Sequence, residues 1–113
     1  MVERSSAYSE FAVGRGGEAR ENTRAAIAAL GGMATFITPG DRVMIKPNVA
    51  WKRIAEQAAT TNPDVIAELV VLCRDAGAAE VVVFDCPCDP GPATFRSSGI
   101  QAAAEAVGGK IAF

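Results

Sequence analysis

Residues 40–51 read Gly-Asp-Arg-Val-Met-Ile-Lys-Pro-Asn-Val-Ala-Trp, and this stretch decides the fold. Gly40, with a proline before it, favours a turn, because proline fixes φ and glycine tolerates positive φ. The apolar run at 43–45 is typical of a strand buried on both faces of a parallel sheet. A turn that leads into a short buried strand is therefore predicted here.

The strand is expected to end abruptly at Lys46, Pro47 and Asn48. Proline has no N–H, so it cannot continue a central strand. In open α/β sheets, ligands bind beyond the carboxyl ends of the strands. Lys46 and Asn48 are thus candidate ligand-binding residues, an ammonium and an amide at one strand end. The alternative is a solvated lysine followed by a turn asparagine.

A helix and a second strand follow the first. Thr61 and Asn62 precede a proline and an acid, which is a helix-start pattern, and the helix is predicted over 63–76. Residues 80–85, Glu-Val-Val-Val-Phe-Asp, form the second apolar run. Strand, helix and strand make a right-handed βαβ unit with parallel strands. Asp85 should then lie at the same edge of the sheet as Lys46 and Asn48; this carboxyl edge is the rim. The loop into Thr61 and Asn62 leaves from that rim, so these two residues join the candidate ligand-binding set.

The remaining elements extend the same architecture. Helices are predicted over 18–30 and 101–107, and weaker strand patterns occur at 8–13 and 110–113. The predicted fold class is α/β: a three-layer, mostly parallel sheet of about four strands with flanking helices, a Rossmann-like half-domain. A chain of 113 residues suits one domain spanning 1–113.

Composition and charge exclude several function classes. The net charge of −2 does not indicate a surface that binds nucleic acid. No window of the sequence approaches the roughly 18 apolar residues that a membrane span requires. The first residues lack the apolar stretch of a signal peptide, so the chain as encoded is expected to be cytoplasmic. The sequence contains no histidine, which removes histidine bases, histidine metal ligands and Ser-His or Cys-His couples.

Cys86 and Cys88 follow Asp85 directly and are the candidate metal ligands. Thiolates bind Zn²⁺, Cu(I) and iron–sulfur clusters, but closed sites normally need about four ligands. A metal ion or cluster would therefore be shared between chains or with a partner, or be completed by a nearby carboxylate. A disulfide and two idle thiols are the alternatives, and the odd count of three cysteines argues against a disulfide framework.

Lys46 with Asp85 is the stronger constellation. A lysine at the rim can hold an anionic group, or act as a base if its pKa falls. Asp85 can anchor a metal or hydroxyl groups. The pair can equally neutralise itself as a structural ion pair.

Three ordered motifs resemble the DUF362 family. They are Gly-Asp-Arg-Val-Met-Ile-Lys-Pro-Asn at 40–48, Glu-Gln-Ala-Ala-Thr-Thr-Asn-Pro-Asp-Val at 56–65 and Asp-Ala-Gly-Ala-Ala-Glu-Val-Val-Val-Phe-Asp at 75–85. Ser98-Gly99-Ile100 also fits the family pattern, and the resemblance extends from about residue 18 to residue 113. The family's hallmark lysine-proline-asparagine element and the acid after its second strand match Lys46, Pro47, Asn48 and Asp85.

The resemblance implies an uncharacterised α/β family whose members are often joined to ferredoxin-like iron–sulfur modules. Some members are exported through a twin-arginine signal, and neither that signal nor the ferredoxin cysteines occur in this sequence. Family members are longer, which implies that this chain corresponds to their N-terminal half. The resemblance implies no established reaction, so it does not predict whether the chain is an enzyme.

Three functions follow as hypotheses. The first is a ligand- or metal-binding α/β domain, in a redox-linked protein, with its site at the strand ends; replacing Lys46 or Asp85 should then abolish binding and leave stability nearly unchanged. The second is a metal or cluster carrier that uses Cys86 and Cys88. The third is a non-catalytic interaction or oligomerisation module, because open sheet edges pair with other chains. A homo-oligomer, or a second chain that completes the sheet, is therefore expected.

Overall fold

A computed structural model describes residues 8–113. Within these residues a parallel sheet of three strands has the order β1-β2-β3. The strands are β1 (Arg42–Ile45), β2 (Glu80–Phe84) and β3 (Lys110–Ala112). The helices are α1 (Ala19–Ala29), α2 (Pro63–Asp75), α3 (Gly91–Ser97) and α4 (Ile100–Ala106), with short 3₁₀ turns at Met33–Thr35 and Ala55–Gln57. The predicted α/β class is confirmed, with three strands in this part of the chain where about four were expected.

The strand predicted at 8–13 does not form: Phe11 and Val13 are 81% and 68% exposed, and the loop at 14–17 that follows is held on α1. The ring of Tyr8 lies beside Gly31, and Gly14 lies against the main chain of Asn22. The Asn22 side chain accepts from the N–H of Gly17 over 3.1 Å and donates to its carbonyl over 2.7 Å. The segment is thereby tied to the helix and supplies no strand to the sheet.

Local chemistry sets the helix ends, and the start of α2 follows the helix-start pattern seen in the sequence. At the start of α1, the Glu21 carboxylate accepts from the N–H of Glu18 over 3.1 Å, which forms a capping box. At the start of α2, the Asn62 side chain accepts from the N–H of Asp64 over 2.8 Å. Gly77 follows α2 with a φ of 98°, a conformation that favours glycine.

One face of the sheet forms the core. Val81 and Val83 of β2 are buried, and they join a cluster with residues of α2, α3 and α4: Ile66, Val70, Cys73, Phe95, Ile100 and Ala104. Helix α2 packs against both α1 and α4. Successive right-handed crossovers in the order β1-β2-β3 place the connecting helices on the same face. The described residues therefore supply two of the three predicted layers.

The opposite face carries the alternate side chains, Met44 of β1 and Val82 and Phe84 of β2. None of these belongs to the core cluster, and Met44 is 60% exposed. No helix within residues 8–113 is long and apolar enough to cross a membrane.

Candidate functional site

The loops that follow β1 and β2 lie side by side at the carboxyl edge of the sheet. Main-chain N–H groups join them at three points, each over 2.8 Å: Val49 to Oδ2 of Asp85, Cys88 to the carbonyl of Ala50, and Lys52 to Oδ2 of Asp89. The parallel order of the strands brings these loops to one rim, as the sequence predicted. The rim is therefore a fixed structure rather than two independent loops.

Asp85 is the centre of this rim. Its side chain is 8% exposed. Oδ1 accepts from Nζ of Lys46 and from the N–H of Cys86, each over 2.8 Å, and Oδ2 accepts from the N–H of Val49. Burial raises the pKa of Asp85, but the hydrogen bonds from Lys46, Val49 and Cys86 outweigh it, so the pKa lies below its ordinary value. The carboxylate is therefore charged at neutral pH, and both of its oxygens accept hydrogen bonds from groups of the protein.

Lys46 contrasts with its partner because its side chain is 60% exposed. An ammonium group has three N–H donors and no acceptor. One of them is used on Asp85. The other donors lie at the solvent side of the rim, so Asp85 holds Lys46 in place while Lys46 remains accessible to a ligand.

Two hydrogen bonds join Asn48 and Thr61, one between their main chains and one to the Thr61 side chain. The N–H of Asn48 donates to Oγ1 of Thr61 over 2.9 Å, and the N–H of Thr61 donates to the carbonyl of Asn48 over 2.9 Å. The Thr61 hydroxyl oxygen thus fixes the loop after β1 against the start of α2. The Asn48 residue itself is exposed, so its carboxamide lies at the solvent side of this junction.

Asn62 caps α2, and this use occupies its side-chain oxygen. Asp64 lies in the same turn and pairs with Arg20 of α1 over 3.6 Å. A negative side chain at a helix N-terminus already interacts favourably with the helix dipole. Of the five predicted ligand-binding residues, the structure therefore brings Lys46 and Asp85 together and leaves Asn48 exposed beside them. Thr61 and Asn62 are engaged in holding the loop and the helix.

Cys86 and Cys88 are exposed and Cys73 is buried, and none of the three is in a disulfide. Residues 8–113 contain no group of three or more cysteine, aspartate or glutamate side chains that could hold a metal ion. Two thiolates do not fit a closed four-ligand zinc or cluster site. Such a site would need ligands from another chain.

Sequence reasoning missed two features at or near the rim and two concave surfaces elsewhere. The N–H donors of Val49 and Cys86 belong to the main chain, so residue types give no signal for them. The Thr60 hydroxyl is buried and has no hydrogen-bond partner among the described residues. Two concave surfaces, of about 490 and 410 Å³, lie away from the rim, one beside the outer side of β1 and one on the uncovered sheet face.

Comparison with known proteins places the chain in a family. Residues 43–113, more than half of the chain, match the family described as "Domain of unknown function (DUF362)". The chain is also similar to the thylakoid-associated protein sll1697 of Synechocystis, with 39% identity over 54 residues. That match includes 48% of this chain and 17% of the relative, so the chain spans only a small part of the length of this relative. No solved structure matches it. The chain belongs to the DUF362 family.

Proposed function

We propose that the chain binds a small anionic ligand, with carboxylate or phosphate groups, at the carboxyl edge of its sheet. Lys46 supplies the charge, the Asn48 carboxamide supplies a second polar contact, and Asp85 positions Lys46. The observation that supports this most strongly is the Lys46–Asp85 contact of 2.8 Å between an exposed ammonium and a buried carboxylate.

The direction of the hydrogen bonds favours an anion over a cation. Asp85 receives three donors from the protein, so its oxygens are poorly placed to coordinate a metal ion. Lys46 has N–H donors left over, and donors match the oxygens of carboxylate and phosphate. The unpartnered hydroxyl of Thr60 adds a polar group in the loop that precedes α2.

Titration calorimetry with inorganic phosphate and with citrate tests the proposal. We expect saturable binding of at least one of them, weakened about tenfold or more in Lys46→Gln, which corresponds to about 1.4 kcal/mol. Lys110→Gln is the matched control, because it removes the same charge from the opposite end of the sheet. Equal affinity in wild type and Lys46→Gln, or an equal loss in both variants, would refute the proposal.

A second candidate function, sheet completion by another chain, is favoured by the outer side of β1. The carbonyl of Asp41 accepts from the N–H of Ala79 over 2.8 Å, so it points to β2. Main-chain groups alternate in direction along a strand, which directs those of Arg42 and Met44 to the outer side. Unpaired strand edges are templates for pairing. The mass in solution tests this function, since a monomer at high concentration would contradict a homo-oligomer.

A metal ion or iron–sulfur cluster at Cys86 and Cys88 is a proposal that depends on such an assembly. Two thiolates from each of two chains would complete four ligands. Anaerobically purified protein should then contain about half a metal site per chain, lost in Cys86→Ser. Metal-free anaerobic protein would rule this site out and would leave the anionic-ligand proposal untouched.

A further inference from the structure

We propose that the uncovered face of the sheet binds one amphipathic α-helix of a partner protein, with an apolar stripe and an acidic group at one end. This face adjoins the outer side of β1, since Arg42, Val43 and Met44 line both concave surfaces, and its residues differ from those of the rim site at Lys46. It therefore adds a partner surface that neither the anionic-ligand site nor strand pairing requires.

The strand register assembles an apolar patch on this face. Met44 lies opposite Val82, and Phe84 lies opposite Ala112. The residues between these two rows, Ile45, Val83 and Ile111, belong to the core cluster on the other face or pack against it. Parallel sheets almost always have both faces covered, yet in residues 8–113 the helices pack on the core face. The patch is thus an incomplete part of the domain's packing.

The dimensions of the patch fit one helix. Strand β2 has five residues, or about 16 Å at about 3.3 Å per residue, and three strands span about 10 Å between their outer axes. A helix is about 10 Å in diameter and rises 1.5 Å per residue. One helix of about ten residues covers the patch, and a second helix would have no sheet beneath it.

The charges at one end of this face indicate that the partner helix carries an acidic group. At the amino end of the strands, the Glu80 carboxylate accepts from Nε of Arg42 over 2.6 Å and from Nζ of Lys110 over 2.7 Å. Two cations meet one anion there, which leaves one positive charge. The side chains of Arg42 and Lys110 are 77% and 69% exposed. An acidic group beside the apolar stripe of the helix would meet this charge.

A second copy of the chain fits this face less well. In a two-fold dimer the same patch faces itself. The positive end would then lie against the positive end of its copy, or against the apolar end formed by Phe84. The first arrangement brings like charges together, and the second buries charge against apolar surface. The observations thus favour a different chain with an acidic helix.

A designed helical peptide of about 15 residues tests the inference, with four leucines on one face and two glutamates at one end. We expect binding to the full chain with a dissociation constant below about 100 µM. Replacing both glutamates by lysine should weaken it at least about tenfold. Met44→Asp should abolish it while the far-UV circular dichroism is unchanged, because Met44 is exposed.

Two variants separate this surface from the rim. Lys110→Gln should reduce the preference for glutamate over lysine peptide several-fold, whereas Lys46→Gln should leave it unchanged and affect only phosphate or citrate binding. No binding at about 1 mM peptide, equal binding of both peptides, or binding that survives Met44→Asp would overturn the inference. A self-association that is lost in Met44→Asp and that competes with the peptide would also overturn it, because a second copy would then be the occupant of this face.

Discussion

Val49 donates its N–H to Oδ2 of Asp85 over 2.8 Å, although the two residues are 36 positions apart. This bond joins the end of β2 to the loop after β1. With the donors of Lys46 and Cys86, it makes Asp85 both the support of the candidate site and a part of the folded core. Replacing Lys46 should therefore affect mainly ligand binding, whereas replacing Asp85 should also lower the stability of the fold.

Replacing Asp85 by Asn should lower the free energy of unfolding by about 2–3 kcal/mol, because the amide keeps one acceptor oxygen and leaves buried donors unsatisfied. Lys46→Gln should lower it by less than about 1 kcal/mol, because Lys46 is exposed and surface ion pairs contribute little. Urea unfolding of both variants measures the difference. Similar stability of the two variants would contradict this role for Asp85 and would restore the expectation that both are replaceable.

The stability should also depend on pH through Asp85. Because folding lowers its pKa, its stabilising contribution is fully present above the ordinary aspartate pKa of about 3.9 and is lost as pH falls through the folded value. The difference between wild type and Asp85→Asn in urea unfolding should be largest near about pH 7 and shrink toward about pH 3.

Glu80 requires a control in that experiment. Hydrogen bonds from Lys110 and Arg42 lower its pKa as well, so its effect has the same sign. Asp85→Asn should remove part of the pH dependence and leave the part that Glu80 contributes, whereas Glu80→Gln should retain the part that Asp85 contributes. If instead Glu80→Gln removes all of the pH dependence, Asp85 is not a titrating group.

The position of Lys46 and Asp85 could be predicted because it depends on strand direction alone. Two apolar runs joined by a helix imply parallel strands, and parallel strands end on one edge. The roles of Thr61 and Asn62 could not be read in this way. Their residue types suit a ligand site and a helix cap equally, and only the contacts with Asn48 and Asp64 distinguish the two uses.

Packing between helices could not be predicted from the sequence for a similar reason. Glu68 is an acid in the middle of α2, yet it is buried, because α1 packs on that side and Arg24 pairs with it. Periodicity identifies the apolar side of a helix, but it does not show that a second helix will cover a polar side. The uncovered sheet face is the converse case, since Met44 and Val82 look like core residues in the sequence.

The cap role of Asn62 gives a third prediction. Asn62→Ala should lower the free energy of unfolding by about 1 kcal/mol, whereas Asn62→Asp should nearly preserve it, because asparagine and aspartate are comparable N-caps. Phosphate or citrate binding should be unchanged in Asn62→Ala once the protein is folded. Thermal unfolding and calorimetry test the two statements. A loss of binding in folded Asn62→Ala would make Asn62 a ligand residue instead.

The three cysteines should differ in reactivity. Cys86 and Cys88 are exposed and should react rapidly with the thiol reagent DTNB in the native chain. Burial raises the pKa of the Cys73 thiol and also shields it, and the thiolate is the reactive form. Cys73 should therefore react only after denaturation, and the double variant Cys86→Ser with Cys88→Ser should show no fast phase. Rapid reaction of all three thiols would contradict the packing of α2 against the sheet. Slow reaction of Cys86 and Cys88 that a chelator accelerates would place a metal ion on this pair.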